Sequence, residues 1–94
     1  MITYKASYTF DTDDWVCGQV LDFPSALSQG KGIDDARRML QSALVDAAET
    51  LILMGQPLPQ PDPSLSDENA DIEEPIHLLL TGATQVQTIP ADAA

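Results

Sequence analysis

One stretch decides most of what this chain can become. Ile33, Ala36, Leu40, Ala43, Leu44, Ala47, Leu51 and Met54 recur at steps of three and four residues. That spacing paints one apolar stripe along about six turns of helix. Asp34 and Asp35 fall in its first turn, where the helix dipole favours anions, and Gly32 is an acceptable N-cap. Gly55 suits the left-handed position that stops a helix. In 94 residues, of which 44% are apolar, a helix this long takes up nearly a quarter of the chain and needs a partner layer.

The residues before it supply that layer. Ile2, Tyr4, Ala6, Tyr8 and Phe10 alternate with Thr3, Lys5, Ser7 and Thr9, a strand period with one apolar face. Asp11-Thr12-Asp13-Asp14 reads as a polar turn, and Trp15 to Leu21 as a second strand running back antiparallel. Asp22-Phe23-Pro24-Ser25 interrupts it, because Pro24 biases Phe23 away from helix. Ala26 to Gln29 is expected to be a short third strand ending at Gly30-Lys31-Gly32. The expected class is therefore α+β: a small antiparallel sheet of three to four strands with one long amphipathic helix packed on it.

Gln56-Pro57-Leu58-Pro59-Gln60-Pro61-Asp62-Pro63 then marks a boundary, since prolines at alternate positions favour extended, PPII-like backbone. The expected organisation is a body over 1–61, an acidic linker over 62–75 and a strand with tail over 76–94. Ser64 to Glu74 reads as loop or disorder. Ile76-His77-Leu78-Leu79-Leu80 reads as a further strand, in the same sheet or a neighbour's, with Gln85 to Ile89 continuing it. Because a short third strand leaves sheet edges open, a homodimer or higher homo-oligomer is expected, with Ile76, Leu78 and Leu80 as candidate interface residues.

Charge narrows the partners. Fifteen Asp and Glu against four Lys and Arg give −11, and all four basic residues lie in the first 38 positions. Such a surface repels phosphate, so direct DNA or RNA binding is not expected, whereas a basic protein would be drawn in. No run approaches the ~18–20 apolar residues of a membrane span, and Met1 to Lys5 lacks the order of a signal peptide. The expectation is a soluble, cytoplasmic, acidic domain.

Catalysis finds little support. Asp11, Asp13 and Asp14 form a D-x-D-D cluster, yet a calcium loop counted from Asp11 would need glycine where Val16 stands and glutamate where Asp22 stands. A solvated turn is the simpler account. Cys17 and His77 are the one nucleophile–base option, but Cys17 lies mid-strand, where a buried structural thiol is ordinary, and His77 lies in an apolar strand. Gly30-Lys31-Gly32 lacks the ending of a phosphate loop. No catalytic residue, metal ligand or cofactor is assigned. Arg37 and Arg38 read as helix surface charges near Asp34.

Taken in order, these motifs resemble the HicB-like antitoxin family over roughly residues 2–61. They are the tyrosine-bearing first strand, the acidic turn before an aromatic, Asp22-Phe23-Pro24, the entry Gly30-Lys31-Gly32-Ile33-Asp34-Asp35-Ala36, Ala43-Leu44 within the helix, and the proline-rich exit. The resemblance implies a partial RNase H-like fold and a partner, a small basic HicA-like mRNA-cleaving toxin. Many such antitoxins carry a following DNA-binding segment; here the C-terminal third has no Lys, no Arg and no helix-turn-helix pattern. Candidate partner-binding residues are Trp15, Asp22, Phe23, Asp34, Asp35, Glu73 and Glu74. The tract Asp67, Glu68, Asp71, Glu73 and Glu74 is either a solvated linker or a set of carboxylates standing in for RNA phosphates. The alternative function is a solitary homo-oligomeric module with no toxin.

Overall fold

The computed structural model describes residues 1–79 and the backbone of 88–90. Strand β1 (Ile2–Phe10) leads through a tight turn at Thr12–Asp14 into β2 (Trp15–Val20), and β3 (Leu27–Lys31) follows. Helix α1 (Gly32–Leu53), β4 (Leu58–Gln60), β5 (Ile72–Leu78) and β6 (Thr88–Pro90) complete the order. Strands β3-β2-β1-β5 form an antiparallel four-stranded sheet with α1 on one face, while β4 and β6 pair in parallel as a separate ribbon.

Period-two alternation builds the sheet side of the core. Tyr4, Ala6 and Tyr8 of β1 point inward with Val16 and Val20 of β2 and Ile76 and Leu78 of β5. The helix meets them with Ala36, Leu40, Leu44 and Ala48, a strict four-residue ladder, so the deepest contact at its C-terminal half is Ala48 rather than Ala47. Met54 lies past the helix end and is exposed, so the apolar stripe stops short of it. Gly55 has φ +70, and the amides of Gly55 and Gln56 bond the carbonyls of Ile52 and Leu51 in a Schellman stop.

Several boundaries differ from the sequence expectation. Strand β3 runs to Lys31, because Trp15 pairs with Lys31 and Val16 with Gly30. Strand β5 starts at Ile72, inside the stretch read as linker, and pairs Ile72 with Tyr8 and Glu74 with Ala6. Its acids concealed a period of two in which Ile72, Glu74, Ile76 and Leu78 share the helix side. Residues 64–71, expected to be loose, form two turns closed by Leu65 N–H to Asp62 O and Ala70 N–H to Asp67 O. Thr88 and Ile89 pair with β4 and do not extend the Ile76 strand. Leu80 lies outside the described residues.

Gly32 opens the helix at φ +76 with open space around it. Alanine there meets no clash, only the left-handed backbone penalty, so Gly32→Ala is expected to cost about 1 kcal/mol in denaturant unfolding.

Candidate partner-binding face

The helix covers one face of the sheet, so any partner meets the other face, the edges or the hairpin end. Alternation decides what that second face displays. Trp15, Cys17 and Gln19 of β2 point away from the helix, beside Leu27 and Gln29 of β3 and Thr9 of β1. All of these except Trp15 border a shallow groove of about 350 Å³. Cys17 is therefore exposed, not the buried thiol its apolar neighbours suggested.

Residues 62–71 form a strap across the β1 side of this face. Lys5 Nζ donates to the carbonyls of Pro63 (2.9 Å) and Leu65 (2.6 Å). The amide of Asp71 donates to Tyr8 O at 2.8 Å, and Asp71 Oδ2 accepts from the amide of Phe10 at 2.7 Å. Glu73 accepts from the Asp67 amide and the Ser66 hydroxyl, both at 3.0 Å. Those two donors, the amide first, hold its carboxyl below the usual glutamate value. Asp62 is lowered in the same way by the hydroxyl and amide of Ser64.

Two expected partner residues belong to the frame instead. Asp22 is 1% exposed; Oδ1 accepts from the Lys5 amide (2.9 Å) and Oδ2 from the Asp62 amide (3.0 Å), tying the strap to the sheet. Phe23 is also 1% exposed and stacks edge-on against Tyr4, with centroids 5.5 Å apart. Neither side chain presents more than a trace of surface. The Tyr4 hydroxyl donates to Pro59 O at 2.7 Å, anchoring the proline-rich exit. Burial, with the nearby Asp22 charge second, pushes the Tyr4 pKa from 10.0 up to about 12. The neutral phenol is the form the fold favours, so this contribution is complete below pH 10 and is lost as pH climbs through about 12. Unfolding midpoints should therefore fall across that window. Tyr4→Phe should flatten only part of the decline, because burial also raises Tyr8.

Of the remaining expected residues, Glu73 and Glu74 border one concavity of about 460 Å³ together with Asp22, whereas Asp34, Asp35 and Trp15 lie apart from it. Asp34 is exposed on the first helical turn and pairs with Arg37 at 3.4 Å. Arg37 also grips Glu74 through two bonds, Nε at 2.8 Å and NH2 at 3.0 Å, closing the helix against β5. Asp35 pairs with Arg38 and accepts the Lys31 amide at 3.0 Å. Glu73 projects from the opposite face of β5 to Glu74. Ile76 and Leu78 are buried under the helix, so their side chains are not available to a second copy. Trp15 remains exposed at 37%, with Lys31 Nζ over its ring at 4.8 Å. Sequence reading missed Phe10, which shares the parity of Tyr8 but is 53% exposed, because β1 outruns the helix.

The nucleophile–base pair does not form. Cys17 sits opposite Thr9 and His77 opposite Thr3, six residues of β1 apart, roughly 20 Å. His77 Nδ1 lies 2.9 Å from the Thr3 hydroxyl instead. Among the described residues no group of three His, Cys, Asp or Glu side chains is placed to hold a metal ion, and no helix is long and apolar enough to cross a membrane.

No protein-family model and no curated protein matches the chain significantly. Solved structures do. The crystal structure of the N-terminal domain of Burkholderia pseudomallei antitoxin HicB superposes with a TM-score of 0.67 at 22% identity, over 84% of this chain and 100% of that domain. The chain has a HicB-like fold. The match takes in the whole of that domain, so the likeness is one of overall fold and not of a fragment.

Proposed function

We propose that this chain is an antitoxin that binds a small basic HicA-like mRNA-cleaving toxin and silences it in the cytoplasm by covering its RNA-binding surface. The observation that carries this reading is the complete HicB-like fold on a chain of charge −11. The mechanism is steric and electrostatic: carboxylates occupy cationic positions that phosphates would otherwise take. The chain performs no chemistry in this reading, in keeping with the separation of Cys17 from His77. Contact with promoter DNA is not part of this proposal, since residues 39–94 carry no Lys or Arg. Co-expression with the product of the adjacent reading frame is the test. Growth rescue with co-purification of a basic protein is expected; persistent toxicity beside abundant, folded antitoxin would overturn the reading.

A second reading, a solitary homo-oligomeric module, is favoured by the state of the sheet edges. Strand β5 is blunted by Pro75 and carries Glu73 and Glu74 within it, whereas edge strand β3 has no proline and an exposed Leu27. Oligomerisation in this reading would run through the open β3 edge. Sedimentation as a monomer at micromolar concentration would remove this reading.

A further inference from the structure

We infer that the hairpin end of the sheet is an arginine-receiving notch, the point at which a basic partner protein anchors. The inference rests on the antitoxin reading for the partner's identity, but not for the chemistry of the notch. Phe10, Asp11, Asp14, Trp15 and Lys31 line a concavity of about 540 Å³ against the start of α1. Its aromatic walls are unusually open for their type: Phe10 is 53% and Trp15 37% exposed, although both flank a folded turn.

Three features make the notch a cation receptor rather than an apolar dent. Its aromatic surface already binds an ammonium, since Lys31 Nζ lies 4.8 Å from the Trp15 centroid and donates to Asp13 O at 2.7 Å. Carboxylates stand beside that surface, and among the described residues no cationic side chain pairs with Asp11, Asp13 or Asp14. The turn is also poorly chosen for turning alone. Asp13 and Asp14 are both left-handed, at φ 58 and 65, where asparagine or glycine would serve without adding charge. A guanidinium fits better than a second ammonium: it stacks flat on an aromatic wall while its fork reaches a carboxylate. Arginine is also enriched among residues that dominate interface energetics, as is tryptophan.

Trp15 is the chain's single tryptophan, so its emission reports the notch directly. The experiment titrates the full chain with an end-blocked hexa-arginine peptide at physiological salt. A saturable change in Trp15 emission is expected. Asp11→Asn combined with Asp14→Asn should weaken binding about tenfold, because two charge-assisted contacts to the guanidinium are lost together. Both changes preserve turn-forming side chains, and unchanged circular dichroism would verify the fold. Asp46→Asn with Glu49→Gln removes the same charge from the exposed helix and should alter binding less than about twofold. Equal weakening by both pairs, or no response from Trp15, would overturn the notch. Peptide binding that obeys this pattern without growth rescue would leave the notch standing and remove only the toxin. Rescue and toxin affinity indifferent to the Asp11 and Asp14 changes would overturn the notch and leave the antitoxin.

Discussion

Alanine at position 30 is expected to cost the fold about 3 kcal/mol, the upper part of the range for overpacking a close contact. A Cβ on Gly30 would lie 2.6 Å from the Ala36 backbone nitrogen and 2.8 Å from the Asp35 carbonyl carbon. Both are main-chain atoms of the first helical turns, so no side chain can rotate to make room. Either β3 or α1 must move, and α1 is held by Leu40 and Leu44 while β3 is held by its ladder to β2. Domains of this size carry roughly 5–14 kcal/mol in total, so the variant should fold with a melting temperature lower by about 12–24 °C. Gly18→Ala is the informative contrast. Its Cβ would meet Tyr8 and Leu40 side-chain atoms at 3.1 to 3.2 Å, a tight fit that small side-chain shifts can relieve. A Gly30→Ala protein as stable as the Gly18→Ala protein would show that the helix is less firmly seated than its contacts require.

Asp22→Ala is expected to destabilise by about 3 kcal/mol through a different route: two amide donors, those of Lys5 and Asp62, lose their acceptor together. The effect should be uneven across the molecule. Lys5 lies within β1, whose ladder survives, whereas Asp62 begins the strap, which would keep its bonds to Lys5 and Tyr8 but lose its tether at the entry. Hydrogen exchange should therefore quicken most at residues 62–71. Asp22→Asn retains one acceptor oxygen and should recover part of the loss. A uniform acceleration over the whole sheet would contradict this division.

Legibility in the sequence followed the strength of each local period. The α1 stripe, the β1 alternation and the Gly55 stop rest on unmixed signals, and each is found over most of its expected length, the stripe ending before Met54 and the inward face of β1 before Phe10. Strand β5 failed the same test because Glu73 and Glu74 interrupt its apolar run; only Arg37, from a helix 37 positions earlier, makes an inward Glu74 tolerable. Asp22 read as a surface acid because its neutralising environment is two backbone amides, 17 and 40 residues away along the chain. Cys17 was misplaced for a simpler reason: with one exposed and one buried face, a strand's parity must be counted from Val16 and Val20, not judged from mean apolarity. Of the expected partner residues, Trp15 lines the concavity at the hairpin end and Asp22, Glu73 and Glu74 line another where the strap meets β1 and β5; Phe10, the companion of Trp15, could have been found by noting that β1 continues beyond the reach of the helix.

The four cations are each committed within the molecule: Lys5 to the strap, Lys31 to Trp15 and the turn, Arg37 to Glu74, Arg38 to Asp35. Added electrolyte consequently acts on two processes with opposite sign. It quiets the mutual repulsion of the uncompensated carboxylates, which steadies the isolated molecule, and it dims the long-range pull on anything basic, which slows capture. The protein should thus be at its most durable when alone in brine, and at its most effective in dilute buffer.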